Sequence, residues 1–457
     1  IVIFEGRVIH PMKFAVDSQN RRIARRKVQV RGFFLEHQIE ERIDFCHNAE
    51  DPVAAFLAGT IWNRKPMNGV REIIAAELEH HGWIGFARFM ELALYHPEGG
   101  YYQSSKSHIG RAGDFYTSVS VGSLFGELLA FQFSEWLTRE IQSEPGTGLL
   151  SVDPKQPGSH STDSGPVHLV ESGADDGQLA FDILSWISRC RPELFEQLEY
   201  WILEPSDRRM TWQQERLTRF GARVRWADSW GNLPPDGVRG CFFSNELLDA
   251  FPLHRLSWNS GERRWSEMGV GSDGNSLIWR RAPDSNRPDP TLMKHVAAME
   301  LPEPLLNVLP DGFILEICPQ AETWWSEAAA SLKQGRLMTL DYGLPAGTIL
   351  SPERPSGTLR AYRDHRFAEH PLKDPGQQDL TAHINFESIQ KVGEQAGLRT
   401  SDLCTQSQFL TRIATQTMKT NVHFGEWNQQ RTRQFQTLTH PDHLGRQFQA
   451  LVQIRSE

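Results

Sequence analysis

Glycine and acidic residues lie together between Val167 and Gly177, where a short apolar strand precedes a helix predicted over 178–190. Glu171 is expected at the carboxyl end of the strand. Gly173 and Gly177 let the backbone approach a ligand closely, because neither carries a Cβ atom. The amino end of the helix adds unpaired N–H groups and a positive dipole end. In an open α/β sheet this edge binds nucleotide-like ligands, although a purely structural turn fits the same pattern.

The neighbouring residues discriminate between classes of nucleotide ligand. Asp175 and Asp176 would repel a pyrophosphate, so the turn opposes a dinucleotide and hence a nicotinamide-dependent oxidoreductase. Glu204 ends a second apolar strand, at the spacing where a carboxylate accepts hydrogen bonds from ribose hydroxyls. A cationic nucleoside without phosphate tolerates such acidic neighbours, and S-adenosylmethionine is a ligand of that kind.

Alternating strands and helices predict an α/β fold with a doubly wound, mostly parallel sheet between residues 167 and 343. Further strands in that stretch are predicted over 200–205, 223–227, 241–244, 313–318 and 336–340. Because crossovers between parallel strands are right-handed, the carboxyl ends of the strands share one edge. Five polar residues are expected there: Glu171, Glu204, Asp228, Asn245 and Asp341. Open α/β sheets bind their ligands at that edge, so the pattern predicts a binding site.

Composition excludes several classes of protein. The 457 residues exceed one ordinary domain, and a formal net charge of −9 argues against a general binder of nucleic acid or anionic membranes. No apolar run reaches the roughly 18 residues of a membrane span. The five cysteines lie far apart without a CxxC pair, so we predict reduced thiols and no metal site.

Five regions are predicted along the chain. They are a basic N-terminal extension at 1–66, poorly ordered or not native; a helical subdomain at 67–142; a linker at 143–166; a core at 167–343 with antiparallel ribbons inserted at 253–312; and a C-terminal region at 344–457. The last region begins with a loop over 344–383 that is assigned to substrate or partner binding. It continues in helices and closes with a strand near 451–454.

Ten short blocks in a fixed order resemble the DUF185 family of S-adenosylmethionine-dependent methyltransferases, which includes the MidA proteins and a mitochondrial complex I assembly methyltransferase. The blocks are Phe89–Tyr102, Gly113–Ser118, Leu124–Leu128, Glu171–Gly177, Glu204, Asn245–Pro252, Asp341–Gly343, Gly357–Leu359, Tyr362–His365 and Asp379–His383. With flanking residues they run across 86–413, nearly the whole chain after Met67.

The resemblance implies a class I methyltransferase fold with an extra subdomain, and S-adenosylmethionine as the methyl donor. It also implies a protein substrate methylated on arginine, with a respiratory-complex subunit as a candidate. Two departures from the family stand at the donor edge: Ala174 and Asp175 replace glycines, and Val119 and Ser120 replace Pro and Glu. A catalytically degenerate member that acts in assembly or partner binding is therefore the alternative.

Within this framework we assign donor-binding roles as a hypothesis. Glu171 and Gly173 hold the methionine end of the donor, with Gly177 in the same turn. Glu204 holds the ribose, and Asp228 holds the adenine amine. A polar turn before the helix predicted over 123–141 adds three cofactor-binding candidates: Gly113, Asp114 and Thr117.

A second set of residues is assigned to the methyl acceptor. Glu246 and Asp249 are three apart at a predicted helix start, so they are expected on one face, beside Asn245. Paired carboxylates suit a guanidinium, whose plane they orient through hydrogen bonds, whereas a capped helix start is the structural alternative. Four further residues are candidates in the substrate loop: Asp341, Tyr342, Asp379 and His383.

Two cellular locations fit the sequence. Missing targeting signals predict a cytoplasmic protein of bacterial type. Residues 1–35 are basic and poor in acidic side chains, however, and predict the mitochondrial matrix if they form a targeting segment.

Overall fold

The computed structural model describes residues 3–4, 7–8, 69–103, 117–142, 165–274, 276–283, 288–344, 348, 350–351, 354–363, 366–420 and 424–456. The chain divides into two compact units, Ile1–Pro66 and Met67–Glu457. The described residues of the first unit form one antiparallel pair, β1 (Ile3–Phe4) and β2 (Arg7–Val8). Most of the predicted linker and the predicted site residues Gly113 and Asp114 lie outside the described residues.

Helices and strands alternate along the second unit. The helices are α1 (Val70–His81), α2 (Phe86–Tyr95), α3 (Leu124–Gln142), α4 (Gln178–Cys190), α5 (Pro192–Gln197), α6 (Asp207–Leu217), α7 (Pro290–Ala298), α8 (Glu303–Val308), α9 (Pro319–Ser331), α10 (Phe386–Gln395), α11 (Gln406–Thr417) and α12 (Gln429–Thr439). The strands are β3 (Ile84–Gly85), β4 (Val167–Ser172), β5 (Leu198–Leu203), β6 (Val224–Ala227), β7 (Val238–Asn245), β8 (His254–Asn259), β9 (Arg264–Asp273), β10 (Ser276–Arg281), β11 (Ile314–Ile317), β12 (Leu332–Tyr342), β13 (Arg360–Arg363), β14 (Arg366–Ala368), β15 (Asp379–Thr381), β16 (Arg399–Thr405) and β17 (Phe448–Arg455).

Seven strands form the central sheet in the order β16-β17-β12-β7-β4-β5-β6. The strands from β12 to β6 are parallel, whereas β17 runs antiparallel to both of its neighbours. Helices cover both faces, with α3, α4 and α11 packed on one side and α9 and α10 on the other. The predicted α/β fold with a doubly wound, mostly parallel sheet is confirmed, and so is the closing C-terminal strand.

Burial on both faces explains why the central strands were recognisable. β4 and β7 lie inside the sheet, and their residues are almost all buried, so their sequences are near-continuous apolar runs. The helix that follows β4 is amphipathic, with Leu179, Ile183 and Ile187 buried against the sheet. This alternation of buried strand and one-sided helix positions the carboxyl ends of β4, β7 and β12 at one edge.

A second, antiparallel sheet is inserted after β7, in the order β10-β9-β8-β11, with β3 paired to β9. The prediction counted residues 313–318 among the strands of the parallel core, and this is wrong. β11 instead pairs antiparallel with β8, so that Ile314 lies opposite Ser257. The chain returns through α7 and α8 to the free edge of β8. β11 is short and has only one buried face, which suits this sheet better than the central sheet, where helices cover both faces.

Three further boundaries differ from the sequence interpretation. The predicted loop over 344–383 contains a three-stranded antiparallel sheet, β14-β13-β15. The residues 206–221 predict a helix with Gly221 as its C-cap, but the helix stops at Leu217, and Gly221 lies in the following turn with a φ of 56°. Strand β16 was not predicted, because its sequence, Arg-Thr-Ser-Asp-Leu-Cys-Thr, is polar and lies at the sheet edge. None of the helices among the described residues has the length and hydropathy needed to cross a membrane.

Candidate active site

The carboxyl ends of β4, β7 and β12 lie side by side because β7 pairs with both of the other strands. Beside them is a cavity of about 300 Å³. Its lining residues are Tyr95, Tyr102, Thr117, Val119, Ser120, Glu171, Gly173, Ala174, Asp175, Asp176, Gln178, Leu179, Arg209, Asn245, Glu246, Leu247 and Ala250. The structure thus brings five predicted site residues to one cavity: Thr117, Glu171, Gly173, Asn245 and Glu246.

The turn between β4 and α4 follows a backbone path that few side chains allow. Gly173 has a φ of 77°, and a Cβ atom there would lie 2.8 Å from Cδ1 of Leu247. Asp175 has a φ of 45°, in the left-handed region that favours glycine. The turn therefore keeps the backbone shape of a glycine-rich loop although Asp occupies one of the positions. Gly177, with a φ of 83°, supports the start of α4 from outside the cavity lining.

Asp176 is held by two protein partners. Its Oδ2 atom lies 2.6 Å from Nη2 of Arg216, and its Oδ1 atom accepts a hydrogen bond of 3.0 Å from the backbone N–H of Gln178. The charge of this carboxylate is therefore balanced by a guanidinium and by the amino end of α4. Of the two acidic side chains in the turn, Asp176 thus has a structural role.

Glu171 lies at the carboxyl end of β4, as predicted, and is 2% exposed. The hydroxyl of Tyr200 donates a hydrogen bond of 2.7 Å to its Oε2 atom. Burial raises the pKa of Glu171 to about 7, although the hydrogen bond from Tyr200 opposes the shift. This carboxyl group can thus accept a hydrogen bond or pair with a cation in the cavity.

The loop after β7 does not form the helix start that was predicted. Glu246 has a φ of 51°, and only Leu248–Ala250 form a short 3₁₀ turn, so Glu246 and Asp249 do not share a helix face. Oε1 of Glu246 accepts hydrogen bonds from the backbone N–H of Ser118 at 3.0 Å and from Nδ2 of Asn245 at 3.2 Å. Oδ1 of Asn245 and Oε2 of Glu246 are shielded from solvent and have no partner. The loop therefore presents two unpaired acceptor atoms.

Asp341 holds that loop in place from the end of β12. Its Oδ2 atom accepts hydrogen bonds from the backbone N–H groups of Leu247 at 3.2 Å and Leu248 at 2.8 Å. Its Oδ1 atom accepts from the N–H of Tyr342 at 2.8 Å, and the residue is fully buried. These contacts favour a positioning role over the predicted role in a substrate loop.

Four carboxyl groups gather beside the cavity, and we call Glu246, Asp249, Asp341 and Asp379 the acidic cluster. Burial raises the pKa of Glu246 to about 8, and the neighbouring acids add to the shift. Burial raises the pKa of Asp249 well above its usual range, and the nearby carboxyl groups of Asp341 and Asp379 add to the shift. Within the described residues, no Lys or Arg forms an ion pair with Glu246, Asp249 or Asp341.

Tyrosines and one arginine complete the surroundings of the cluster. The hydroxyl of Tyr102 donates a hydrogen bond of 2.8 Å to Oδ1 of Asp379, and that of Tyr95 donates one of 2.9 Å to the carbonyl of Ala250. The guanidinium of Arg209 lies 5.1 Å from the centre of the Tyr102 ring. In the part of the chain that the structure describes, Arg209 is the only Lys or Arg that lines the cavity.

The other predicted residues lie away from the cavity lining. Glu204 is buried and accepts hydrogen bonds from the N–H of Ser206 at 3.0 Å and from Nε2 of Gln213 at 3.1 Å. Asp228 is exposed, and its carboxylate accepts from Ser229 and Asn232. The ribose and adenine roles of Glu204 and Asp228 stay predictions.

Tyr342 and His383 lie outside the cavity lining, although the charges of Glu246 and Asp249 add to the effect of burial in raising the pKa of Tyr342. Their rings stack with centres 6.4 Å apart, and Tyr342 also packs on Phe448. Burial lowers the pKa of His383 to about 4, so the imidazole is neutral near pH 7. His383 lines a separate cavity of about 40 Å³ together with Glu322. The structure therefore does not bring His383 to the donor cavity.

Sequence reasoning missed the hydrogen-bonding roles of Tyr95 and Tyr102 and the place of Arg209 in the cavity lining. The signal for the tyrosines was present, because they flank a turn dense in glycine and aromatic residues before the Gly113 block. Arg209 gave no such signal, since it is one of several arginines in an exposed, charged helix. Its position over Tyr102 follows from the packing of α6 beside the cavity.

The cavity fits the donor expected from the sequence. S-adenosylmethionine carries an ammonium and a sulfonium, and the cavity supplies the carboxyl group of Glu171 and the unpaired acceptors of Asn245 and Glu246. The donor also carries one carboxylate, and Arg209 supplies one cation. Gly173 lines the cavity without a Cβ atom, so the backbone of the turn can approach the ligand there.

Comparisons with known proteins agree with this site. A family model described as S-adenosyl-L-methionine-dependent methyltransferase matches residues 156–404. A Drosophila melanogaster protein named protein arginine methyltransferase NDUFAF7 homolog, mitochondrial, is 25% identical over 408 residues, 83% of each chain. The Danio rerio protein arginine methyltransferase NDUFAF7, mitochondrial, is 26% identical over 340 residues, 70% of this chain and 71% of its own.

A solved structure shares the fold as well as part of the sequence. It is a COG1565 superfamily member from Burkholderia thailandensis bound to S-adenosyl-homocysteine, with a TM-score of 0.68 and 26% identity, and the match covers 84% of this chain and 92% of that one. The family model covers more than half of the 457 residues. The chain therefore belongs to this family of methyltransferases, the DUF185 or MidA-like enzymes, which take their methyl group from S-adenosylmethionine.

Proposed function

We propose that this methyltransferase modifies the guanidinium group of an arginine in a protein substrate. The acidic cluster carries the proposal, because its buried carboxyl groups stand beside the donor cavity and Glu246, Asp249 and Asp341 have no cationic partner among the described residues. The names of the fruit-fly and zebrafish relatives, both protein arginine methyltransferases, support the same acceptor.

The electrostatics of the cluster favour a cationic ligand. An ionised carboxylate is costly to bury unless a cation or hydrogen bonds compensate it. The raised pKa values of Glu246 and Asp249 mean that part of the cluster is protonated near neutral pH. A bound cation lowers those pKa values and ionises the carboxyl groups that face it. Binding of the acceptor is therefore coupled to release of protons.

A guanidinium suits this surrounding better than an ammonium. It is planar and has five N–H donors, which several carboxylates can engage at once, whereas an ammonium has three donors around one point. Oε2 of Glu246 and Oδ1 of Asn245 are two unpaired acceptors from one loop. The rings of Tyr95 and Tyr102 lie 5.4 Å apart at the edge of the cavity, where an aromatic face attracts a flat cation.

Methyl transfer requires the acceptor nitrogen to lie in line behind the donor methyl group. When bound, the donor supplies an electrophilic methyl group on its sulfonium. Carboxylates of the acidic cluster fix the plane of the guanidinium and keep water from the reacting nitrogen. As the nitrogen bonds to the methyl carbon and the carbon–sulfur bond breaks, the electron pair stays on sulfur. The surplus N–H proton passes to Glu246, whose ionised carboxylate has an Oε2 atom without a hydrogen-bond partner to accept it.

On the donor side, we assign the ammonium to Glu171 and the backbone contact to the turn at Gly173. The ribose role of Glu204 requires its carboxylate to gain a ligand while keeping Ser206 and Gln213. The adenine role of Asp228 requires the exposed loop after β6 to approach the ligand. Replacing Glu204 by Gln tests the ribose role of Glu204, because loss of a ribose contact weakens the binding of S-adenosylhomocysteine.

The partner and the compartment follow from the same relatives as proposals. A protein substrate agrees with the relatives' names, and a respiratory-complex subunit stays a candidate taken from the resemblance. Both relatives are mitochondrial by name, which favours the mitochondrial prediction over the cytoplasmic one. Fractionation of cells that express the full chain tests the location.

The deciding experiment measures methylation of peptides with one central arginine, and of the same peptides with lysine instead. We expect methylated arginine by mass spectrometry, and no methylated lysine. Glu246→Gln should lower kcat by about 100-fold or more while S-adenosylhomocysteine binds as before. Glu327→Gln, at an exposed glutamate of α9, serves as the matched control. Methylation of lysine and not arginine would remove the proposal, and a folded chain that binds no donor would favour the partner-binding alternative.

A further inference from the structure

Three side chains from neighbouring strands form a row that runs from the acidic cluster to the protein surface. Antiparallel pairing places Asp379 of β15 opposite Tyr362 of β13, and Tyr362 opposite Phe367 of β14. Residues directly opposite each other in an antiparallel sheet point to the same face. Asp379 is 6% exposed and Phe367 is 57% exposed. The rings of Tyr362 and Phe367 meet edge to face, with centres 6.3 Å apart.

The two faces of this small sheet have different surroundings. Ala361, Leu380 and Ala368 alternate with the row and pack into the core that includes α1 and α2. The inner face therefore accounts for the stability of the sheet. On the outer face, Phe367 leaves more than half of its surface in water, which the fold does not require. Exposed aromatic side chains of this kind are enriched where proteins bind partners.

The outer face is continuous with the site of methyl transfer. The hydroxyl of Tyr102, which lines the donor cavity, donates its hydrogen bond to Asp379 at one end of the row. Burial raises the pKa of Tyr362, and the negative charges of Asp379 and Asp249 add to the shift, so its hydroxyl lies near the acidic cluster. A chain segment lying along the row would thus bring one of its side chains to the cluster.

The outer face also carries a positive charge. Arg360 lies opposite Thr381, on the same face as Tyr362, and it is exposed. Its guanidinium donates to the carbonyl of Leu359 at 2.8 Å, and among the described residues it forms no ion pair with a carboxylate. Arg363, on the opposite face, differs because it pairs with Asp374 at 3.1 Å. Arg360 therefore has charge available for an acidic group of a partner.

We propose that this outer face, formed by Arg360, Tyr362 and Phe367, is the surface on which the protein substrate docks. The inference rests on the proposed arginine methylation and adds how the substrate is recognised. The occupant is an extended segment flanking the methylated arginine. Its apolar side chain packs on Phe367, its acidic side chain pairs with Arg360, and its arginine reaches the acidic cluster past Asp379.

The test uses the full chain and an array of peptides with one central arginine and all residue types at the flanking positions. We expect the wild-type enzyme to prefer an apolar residue at one flanking position and an acidic residue at another. Phe367→Ala should raise KM for the best peptide about fivefold or more, leave kcat nearly unchanged and abolish the apolar preference. Arg360→Gln should abolish the acidic preference. Met418→Ala, at another exposed apolar side chain directly after the end of α11, is the matched control.

The outcomes separate the docking surface from the proposed function. If arginine is methylated and Phe367→Ala has the wild-type KM and preferences, the docking surface is wrong and the proposed function stands. If the wild-type enzyme methylates a different side chain and Phe367→Ala weakens that reaction, arginine methylation is wrong and the docking surface stands. Peptides that are neither bound nor methylated overturn both.

Discussion

Glu246 has a backbone conformation that an L-residue seldom adopts, with a φ of 51°. Such a conformation costs about 1–2 kcal/mol, so the surroundings must hold it. The backbone N–H of Glu246 donates to the carbonyl of Leu340 at 2.9 Å, and the N–H of Ser118 binds the side chain. Two elements thus hold one carboxyl group in a fixed position with its Oε2 atom free for a ligand.

The pKa of Glu246 predicts how acceptor binding depends on pH. The pKa of about 8 in the free enzyme means that Glu246 must lose a proton before it pairs with a guanidinium. At saturating donor, KM for an arginine peptide should therefore fall as the pH rises from about 6 to about 8 and then level off. If one proton is released, the fall approaches tenfold per pH unit, which corresponds to about 1.4 kcal/mol. Steady-state kinetics across this range provide the measurement.

Glu246→Gln is the control for that pH dependence, because an amide does not titrate. Its KM should be higher and should vary much less between about pH 6 and about pH 8. A wild-type KM that is flat over this range, or a Gln variant with an unchanged profile, would contradict the assignment. Glu171, with a pKa of about 7, faces the donor. Because the donor is saturating, the titration of Glu171 does not contribute to the pH dependence of KM for the peptide.

Asp249→Asn should stabilise the protein while reducing methyl transfer. The pKa of Asp249 is raised in the folded state, so its ionised form opposes folding increasingly as the pH rises above the carboxyl pKa of the unfolded chain. An amide does not ionise, so the variant lacks this cost. We expect the free energy of unfolding to increase by about 1–2 kcal/mol at pH 8 and less at pH 5. Urea unfolding at both pH values measures it, with Asp236→Asn at an exposed site as control.

The turn between β4 and α4 shows how one element shapes the donor cavity. Gly173 and Asp175 both have positive φ angles, and the backbone between them borders the ligand space. Ala174, which departs from the glycine-rich family pattern, is 6% exposed and packs in the hydrophobic core below the turn. Asp175, at a position where the family has glycine, therefore adopts a backbone angle that favours glycine.

Gly173→Ala tests the importance of that path. The new Cβ atom would meet Leu247 at 2.8 Å, and the φ of 77° adds strain. We expect the affinity for S-adenosylhomocysteine to fall about tenfold or more and the stability to fall by about 1–3 kcal/mol. Gly312→Ala has the same kind of strain, with a φ of 80°, but meets nothing within 4 Å. Calorimetric titration of both variants measures the affinity, and equal donor binding would contradict a role for the turn in the cavity.

The cavity is assembled from distant parts of the whole second unit. Its lining comes from α2, the segment before α3, the turn after β4, α6 and the loop after β7. A ligand that contacts all of these parts binds the folded chain and not the unfolded one. Binding should therefore stabilise the entire unit.

S-adenosylhomocysteine should raise the melting temperature of the full chain in a concentration-dependent way. At about 100 times its Kd, the expected stabilisation is about 2.7 kcal/mol. NAD⁺ at the same concentration should leave the melting temperature unchanged, because the turn presents Asp175 where a pyrophosphate would lie. A rise with NAD⁺ and none with S-adenosylhomocysteine would contradict the donor site. Differential scanning fluorimetry is sufficient for this comparison.

Local patterns were enough for the central sheet and for the turn that follows β4. Buried parallel strands require continuous apolar runs, and a close ligand contact requires glycine, so both leave a mark in neighbouring residues. Glu171, Asn245 and Glu246 were identified because each directly follows or ends such a run. The family motifs named the donor for the same reason, since they consist of short contiguous blocks.

Contacts between distant residues left no such mark. The pairing of β11 with β8, the hydrogen bond from Tyr102 to Asp379 and the hold of Asp341 on the loop after β7 join residues that are far apart in the chain. The residues of a short strand do not show which other strand it pairs with. The residues next to a carboxyl group do not show whether the fold will bury it. The acidic cluster and its raised pKa values therefore exist only once the fold has brought three separate segments together and excluded water from them.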